Sequence, residues 1–236
     1  MSADDKTSGA AVTPQPETLA PHLRADDAWP IREYADASHH AGGSMSAFEF
    51  LFTLYGLVLG LSVVEVVSGF ARLAHERGTV KVGLLTPMLA VLLLLDLASF
   101  WVGAYGRFQT YDLTYATLVI SLLIASLYYV AASVVFPRDF VAEPDLDAVF
   151  MRHRRLVMII LLVCGVLAFD LVPMLTAEGR TARLAAWTDP ARAWKPLVFQ
   201  FAAVAVIFVR DKRILLMLLA VMILPFIINF ATTLPR

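Results

Sequence analysis

The chain has 236 residues and a mean hydropathy of +0.71, and 59% of its residues are hydrophobic. Charged residues make up 17%, against about 25% in an ordinary soluble domain. This composition argues against a water-soluble enzyme and predicts an integral membrane protein. The formal net charge of −1 shows no basic excess, so we expect no nucleic-acid partner.

Residues 1–44 differ in composition from the rest of the chain. They carry four prolines and more acidic than basic residues, and they contain no apolar run or helical periodicity. Because such a segment cannot bury enough apolar surface to offset its chain entropy, we predict a disordered tail. The first apolar run begins only near Phe48, so we expect a retained first span and no cleavable signal peptide.

Six apolar segments approach the length of about 20 residues that a helix needs to cross a bilayer. We therefore predict an all-α fold, a six-helix transmembrane bundle over residues 45–236. Pro137 should end the third span. The charged run Arg210–Arg213 predicts a tight hairpin after the short fifth span, because these charges would be costly in mid-bilayer. The predicted spans are residues 47–71, 84–105, 113–136, 156–177, 196–209 and 214–231.

Two segments flank the fourth span. Asp145 and Asp147 precede it and suit a helix N-terminus, so we expect a helical lead-in there. Trp187 and Trp194 lie in the loop after it, and tryptophan is enriched at the membrane interface. This loop is either a short interfacial helix or an ordinary loop near the surface.

Orientation follows from the lysines and arginines of the short loops. They concentrate after the first span, after the third span and in the hairpin, which predicts a cytoplasmic position for these loops and an external position for both termini. The basic loop after the fourth span counts against this orientation. Arginine outnumbers lysine, as is typical of GC-rich bacteria, and we predict a bacterial cytoplasmic (inner) membrane as the location.

Four acidic residues, Glu49, Glu65, Asp96 and Asp170, lie in or at the edge of apolar spans. An ionised acid at mid-bilayer costs on the order of 2.5–3.5 kcal/mol on insertion scales, so such residues should face the bundle interior, pair or stay protonated. They are our candidates for a proton or cation pathway. The alternative interpretation is that they form structural hydrogen bonds between helices, which is the role we expect for Gln200 and Asn229.

Two of these acids share a helix stripe with a hydroxyl, a glycine and an arginine, at about 100° per residue. The glycines of these stripes and a GxxxG in the first span are candidates for close helix packing, within the bundle or between copies of the chain. The stripes are Ser62, Glu65, Gly69 and Arg72, and Asp96, Ser99, Gly103 and Arg107; the GxxxG pair is Gly56 and Gly60.

The spacing from Gly60 to Glu65 recurs from Gly165 to Asp170, and two further loose matches relate the halves of the chain. These matches are compatible with a 3+3 inverted repeat, the plan of many secondary transporters. They also arise by chance in chains rich in Leu, Ala and Val, so both interpretations stay open.

Several kinds of chemistry have no sequence signal. No histidine falls in a span, there is no HExxH, no GxSxG and no glycine-rich phosphate loop, and the single cysteine, Cys164, lies mid-span. We therefore predict no catalytic residue, metal site or cofactor. The first functional hypothesis is a small proton- or cation-coupled transporter or channel. The second is a non-transporting scaffold or accessory subunit with a membrane-protein partner or a second copy, and the third is an intramembrane enzyme.

Overall fold

The computed structural model describes the chain from residue 47 onward, apart from residues 77, 79, 111–113, 141, 176 and 234–236. The predicted tail, residues 1–44, lies outside the described residues. The described part is all-helical, as the sequence predicts. Its helices are α1 (Ala47–His75), α2 (Leu85–Thr110), α3 (Tyr115–Val135), α4 (Leu146–Val166), α5 (Ala177–Thr188), α6 (Pro190–Phe208) and α7 (Lys212–Thr233).

The apolar helices make this a multi-pass membrane protein. Five segments are long and apolar enough to cross a bilayer, and α6 contains a shorter apolar stretch, Pro196–Phe208. Length and hydropathy therefore support five of the six predicted spans. The five segments are Phe52–His75, Leu85–Gly106, Tyr115–Val135, Leu146–Met174 and Lys212–Thr233.

The helix of the fourth span begins at Leu146, well before the predicted residue 156. Asp145 caps it, because its carboxylate accepts hydrogen bonds from the backbone N–H groups of Asp147 and Ala148 at 3.0 and 3.2 Å. This confirms the expected helical lead-in. An acidic cap satisfies N–H groups that have no partner within the helix.

Helix α3 ends as predicted, immediately before Pro137. The last helical residue is Val135, and Phe136 has an extended backbone with φ −106° and ψ 146°. A residue that precedes proline avoids the helical region because its backbone clashes with the proline ring. Pro137 therefore ends the helix through its effect on Phe136.

The loop after the fourth span is helical. It forms α5, and α6 then begins at Pro190 rather than at the predicted Pro196. Proline suits the first turn of a helix, where its missing N–H costs nothing. The helical alternative for this loop is thus confirmed, and its position at the membrane interface stays a prediction.

The chain leaves the helical conformation at residues 209–211, next to the charged run Arg210–Arg213 where the sequence predicts a tight hairpin. Helix α6 ends at Phe208, α7 starts at Lys212, and the two helices pack against each other. Two contacts join this hairpin to α4. Lys212 forms an ion pair with Asp147 at 2.9 Å, and the Arg154 guanidinium donates to the carbonyl oxygens of Val206 and Val209.

The helices α2, α3, α4, α6 and α7 form a closed ring in which each packs against the next, and α7 returns to α2. Helix α1 packs against α2 and α3. This arrangement gives α1 and α4 different surroundings, although the predicted repeat pairs them. The described packing therefore does not show the repeat.

Candidate functional site

A cavity of about 440 Å³ is lined by all five helices of the ring, by Phe169 in the turn that follows α4, and by one residue of α5. Sites for small molecules typically measure about 300–1,000 Å³ and combine apolar walls with a few polar groups. This cavity has both kinds of wall. Its polar side chains are Asp96, Ser99, Tyr128, Arg183, Gln200 and Asn229.

Asp96 lies on α2 and is half-buried at the cavity wall. The hydroxyl of the buried Tyr128, on α3, donates a hydrogen bond to its Oδ2 at 2.7 Å. Within the described part of the chain, no lysine, arginine or histidine forms an ion pair with Asp96. A carboxylate can accept about four hydrogen bonds, so Asp96 retains capacity for a bound proton, cation or solute.

Asp170 forms an ion pair with Arg183 of α5. Its Oδ1 accepts hydrogen bonds from Nε of Arg183, at 2.8 Å, and from Nη2 of the same guanidinium. The Arg183 guanidinium also stacks over the ring of Trp187, 4.7 Å from its centroid. Arg183 thus reaches the cavity with its charge already balanced by Asp170.

Asp170 lies in a π-helical turn, Leu167–Leu171, that is followed by one short helical turn, Val172–Met174. Pro173 supplies a physical reason for this turn. Proline has no N–H to donate to the carbonyl four residues earlier, and its ring clashes with that carbonyl in a regular α-helix. The wider turn removes the clash, and such turns are frequent at functional sites.

Two groups of aromatic rings line the cavity. In the first group the ring of Phe100 lies 5.2 Å from that of Tyr128 and 6.5 Å from that of Phe169, measured between centroids. In the second group Phe199 and Phe226 meet edge to face at 6.1 Å. All five of these side chains line the cavity.

Two predicted pathway acids lie away from this cavity. Glu65 is half-buried on α1, a helix that contributes no lining residue, and Glu49 is exposed in the first turn of the same helix. The hydroxyl of Ser62 donates to the carbonyl of Val58 within its own helix, at 3.2 Å. The structure therefore brings together Asp96 and, through Arg183, Asp170, but not Glu65 or Glu49.

The predicted packing glycines differ in their surroundings. A Cβ at Gly69 would overlap the ring of Phe136, and one at Gly56 would lie 3.0 Å from the ring of Trp101. A Cβ at Gly60 would meet nothing within 4 Å. The neighbouring rings at Gly69 and Gly56 favour close packing within the bundle, and the contact between copies stays a prediction. Gly103 is half-buried on α2.

Sequence reasoning found Asp96 but missed its partner. Tyr128 lies in an apolar span without any pattern that distinguishes it from the neighbouring Tyr129. Arg183 belongs to the basic segment after the fourth span, and nothing in that segment marks it as the partner of an acid in a span. Gln200 and Asn229 were expected to form bonds between helices, whereas both line the cavity. The sequence feature that indicates both residues is a polar side chain within an apolar segment.

Comparison with protein-family models, with curated proteins and with solved structures finds no match to this chain.

Proposed function

We propose that this protein is a small transporter in which Asp96 carries a proton or a cation through the cavity. The observation that supports this most strongly is a carboxylate without an ion-pair partner in the described residues, at the wall of a cavity between membrane-spanning helices. Acidic residues within spans are costly and commonly mark ion or proton pathways. A carboxylate that only formed a structural hydrogen bond between helices would not require a cavity beside it.

The proposal includes six membrane crossings, with α6 as the fifth. Helix α6 has 19 residues. At about 1.5 Å per residue the whole helix measures about 28 Å and its apolar stretch, Pro196–Phe208, about 20 Å, so a crossing would place the turns before Pro196 in the interfacial layer. The carbonyl oxygens of Val206 and Val209, at the end of α6, accept from Arg154 in the first half of α4, and Gln200, earlier in α6, lines the same cavity as Gly165, late in α4. This arrangement supports an antiparallel course of α6 along α4.

Six crossings would leave both termini on one side of the membrane. The positions of the basic loops favour the outside for the termini, in a bacterial inner membrane. Six crossings would also permit a 3+3 inverted repeat, although Glu65 and Asp170, which the repeat would pair, have different neighbours.

The second candidate function is a non-transporting scaffold or accessory subunit that binds another membrane protein. The hydrogen bond between Tyr128 and Asp96 favours it, because this bond links α3 to α2 without any need for a solute. Bonds of this kind contribute on average roughly 0.6 kcal/mol to membrane-protein stability.

The test is flux through the purified protein in liposomes. A potassium gradient with valinomycin sets the membrane potential, trapped pyranine reports proton entry, and labelled sodium and a labelled quaternary ammonium ion, neither of which valinomycin carries, report cation uptake. We expect the wild-type protein to conduct a proton or one of these cations. Asp96→Asn should fold and insert, because the amide still accepts from Tyr128, yet lose the flux because it cannot bind the charge.

Glu65→Gln is the matched control, since it neutralises an acid on α1, the helix that does not line the cavity. It should retain the wild-type flux. Absence of flux in the wild-type protein, or equal flux in Asp96→Asn and wild type, would overturn the proposal and favour the scaffold.

A further inference from the structure

The charges at the cavity wall are not balanced. Arg183 is paired with Asp170 and stacked on Trp187, so its positive charge is already compensated. Asp96 receives one hydrogen bond from the neutral Tyr128, and no cation of the described residues forms an ion pair with it. When Asp96 is ionised, the described wall therefore lacks one positive charge.

The apolar part of the wall suits a cation as well. The ring of Phe100 lies next to those of Tyr128 and Phe169, Tyr128 is bonded to Asp96, and Phe199 and Phe226 form a second pair of rings at the wall. Aromatic faces attract ammonium groups, by about 0.5–2 kcal/mol per contact. A small hydrated metal ion would leave most of this apolar surface without contact, whereas an organic body would cover it.

We infer that the cavity binds a monovalent organic cation with an apolar or aromatic body. Its charged group lies at Asp96, beside the rings of Tyr128 and Phe100, and its body lies against Phe169, Phe199 and Phe226. Ser99, Gln200 and Asn229 offer hydrogen bonds to any polar substituent. This inference rests on the proposed transport function and names its substrate class.

Equilibrium dialysis of the full-length protein in lipid nanodiscs tests this inference. Empty nanodiscs of the same lipid measure how much of each probe dissolves in the lipid, and this amount is subtracted. The probe is labelled phenyltrimethylammonium, which fits the volume and cannot gain or lose a proton. Its neutral isostere, tert-butylbenzene, controls for shape, and benzenesulfonate controls for the sign of the charge. We expect the cation to bind about tenfold or more tightly than the neutral isostere.

Asp96→Asn should abolish this preference and leave the affinity for tert-butylbenzene unchanged, which also shows that the variant cavity is intact. Equal affinity of the wild-type protein for the cation and the isostere would overturn the inference without any variant. Tighter binding of benzenesulfonate would also overturn it and assign the site to Arg183. Because dialysis measures binding alone, a failure here is distinguishable from the absence of flux.

Discussion

Arg154 is a charged side chain in the bundle interior and is only 2% exposed. Its Nη1 donates to the carbonyl oxygen of Val206 at 2.9 Å and to that of Val209. The last carbonyls of a helix have no donor within it, and a cation complements the negative end of the helix dipole. Arg154 therefore fixes the end of α6 against α4.

Replacing this arginine tests the contact. We expect Arg154→Met to lower the free energy of unfolding by about 2 kcal/mol, because hydrogen bonds that involve a charged group contribute about 1.5–3 kcal/mol. Thermal unfolding in detergent measures the change. Arg155→Met removes the same charge from the adjacent, exposed position and should leave the Tm near the wild-type value. Equal Tm values for the two variants would show that the contact is not stabilising.

The sequence identifies the unusual acids but not the residues that surround them. Asp96, Asp170 and Glu65 look alike as acids in apolar spans, and the sequence identifies all three as unusual. It does not tell which of them faces a cavity, because that depends on which helices surround each one. The partners Tyr128 and Arg183 become recognisable only when α3 and α5 are placed next to the acids.

At the scale of the elements, the contact between α1 and the end of α3 depends on Gly69. A Cβ there would overlap the ring of Phe136, which is buried and packs edge to face on Phe70 at 5.0 Å. A buried ring just beyond a helix end has little freedom to move. The absence of a side chain at Gly69 therefore allows the close approach of these two helices.

We expect Gly69→Ala to destabilise the bundle by about 1–3 kcal/mol, the usual cost of overpacking. Gly60→Ala adds the same methyl group to the same helix where nothing lies within 4 Å. It should be neutral or stabilise by up to about 1 kcal/mol, because alanine favours the helix. Tm values in detergent compare the two. A loss of stability in Gly60→Ala alone would contradict the described packing.

Helix boundaries follow the sequence where a specific residue sets them. Pro137 and the hairpin charges were sufficient to locate two helix ends, and Asp145 correctly indicated a helical start. The predicted fourth span begins after Arg152, Arg154 and Arg155, and the helix extends before it to Leu146, as the expected lead-in requires. The π-helical turn at Asp170 has no comparable sequence signal besides Pro173.

At the scale of the whole molecule, the closed ring of helices around the cavity could not be predicted. Spans that are apolar on every side carry no stripe that tells a neighbouring helix from lipid. Polar residues within them are the only guide, and Asp96, Gln200 and Asn229 do converge. The sequence contained the members of the site but not the order of the helices that assembles them.

The topology of the whole chain makes a separate prediction. Reporter fusions at Glu76 and Lys212 should both give a cytoplasmic signal, and a fusion at Asp112 should give an external one. Alkaline phosphatase and green fluorescent protein provide the two complementary readouts. A fusion at Lys212 that reports the same side as Asp112 would show that α6 does not cross. A cytoplasmic signal at Asp112 would reverse the orientation.

Transport by Asp96 requires that water and solutes reach this residue through the cavity within the membrane. Cysteine labelling tests it most directly, in a background where the buried Cys164 is replaced by alanine. Ser99→Cys introduces a thiol at the cavity wall, one helical turn from Asp96, and Ala98→Cys introduces one at the adjacent exposed position that does not line the cavity. In intact membranes, a small charged methanethiosulfonate should modify Ser99→Cys and leave Ala98→Cys unmodified, because the reagent needs an aqueous thiolate. Equal modification of the two, or none at Ser99→Cys, would contradict transport by Asp96.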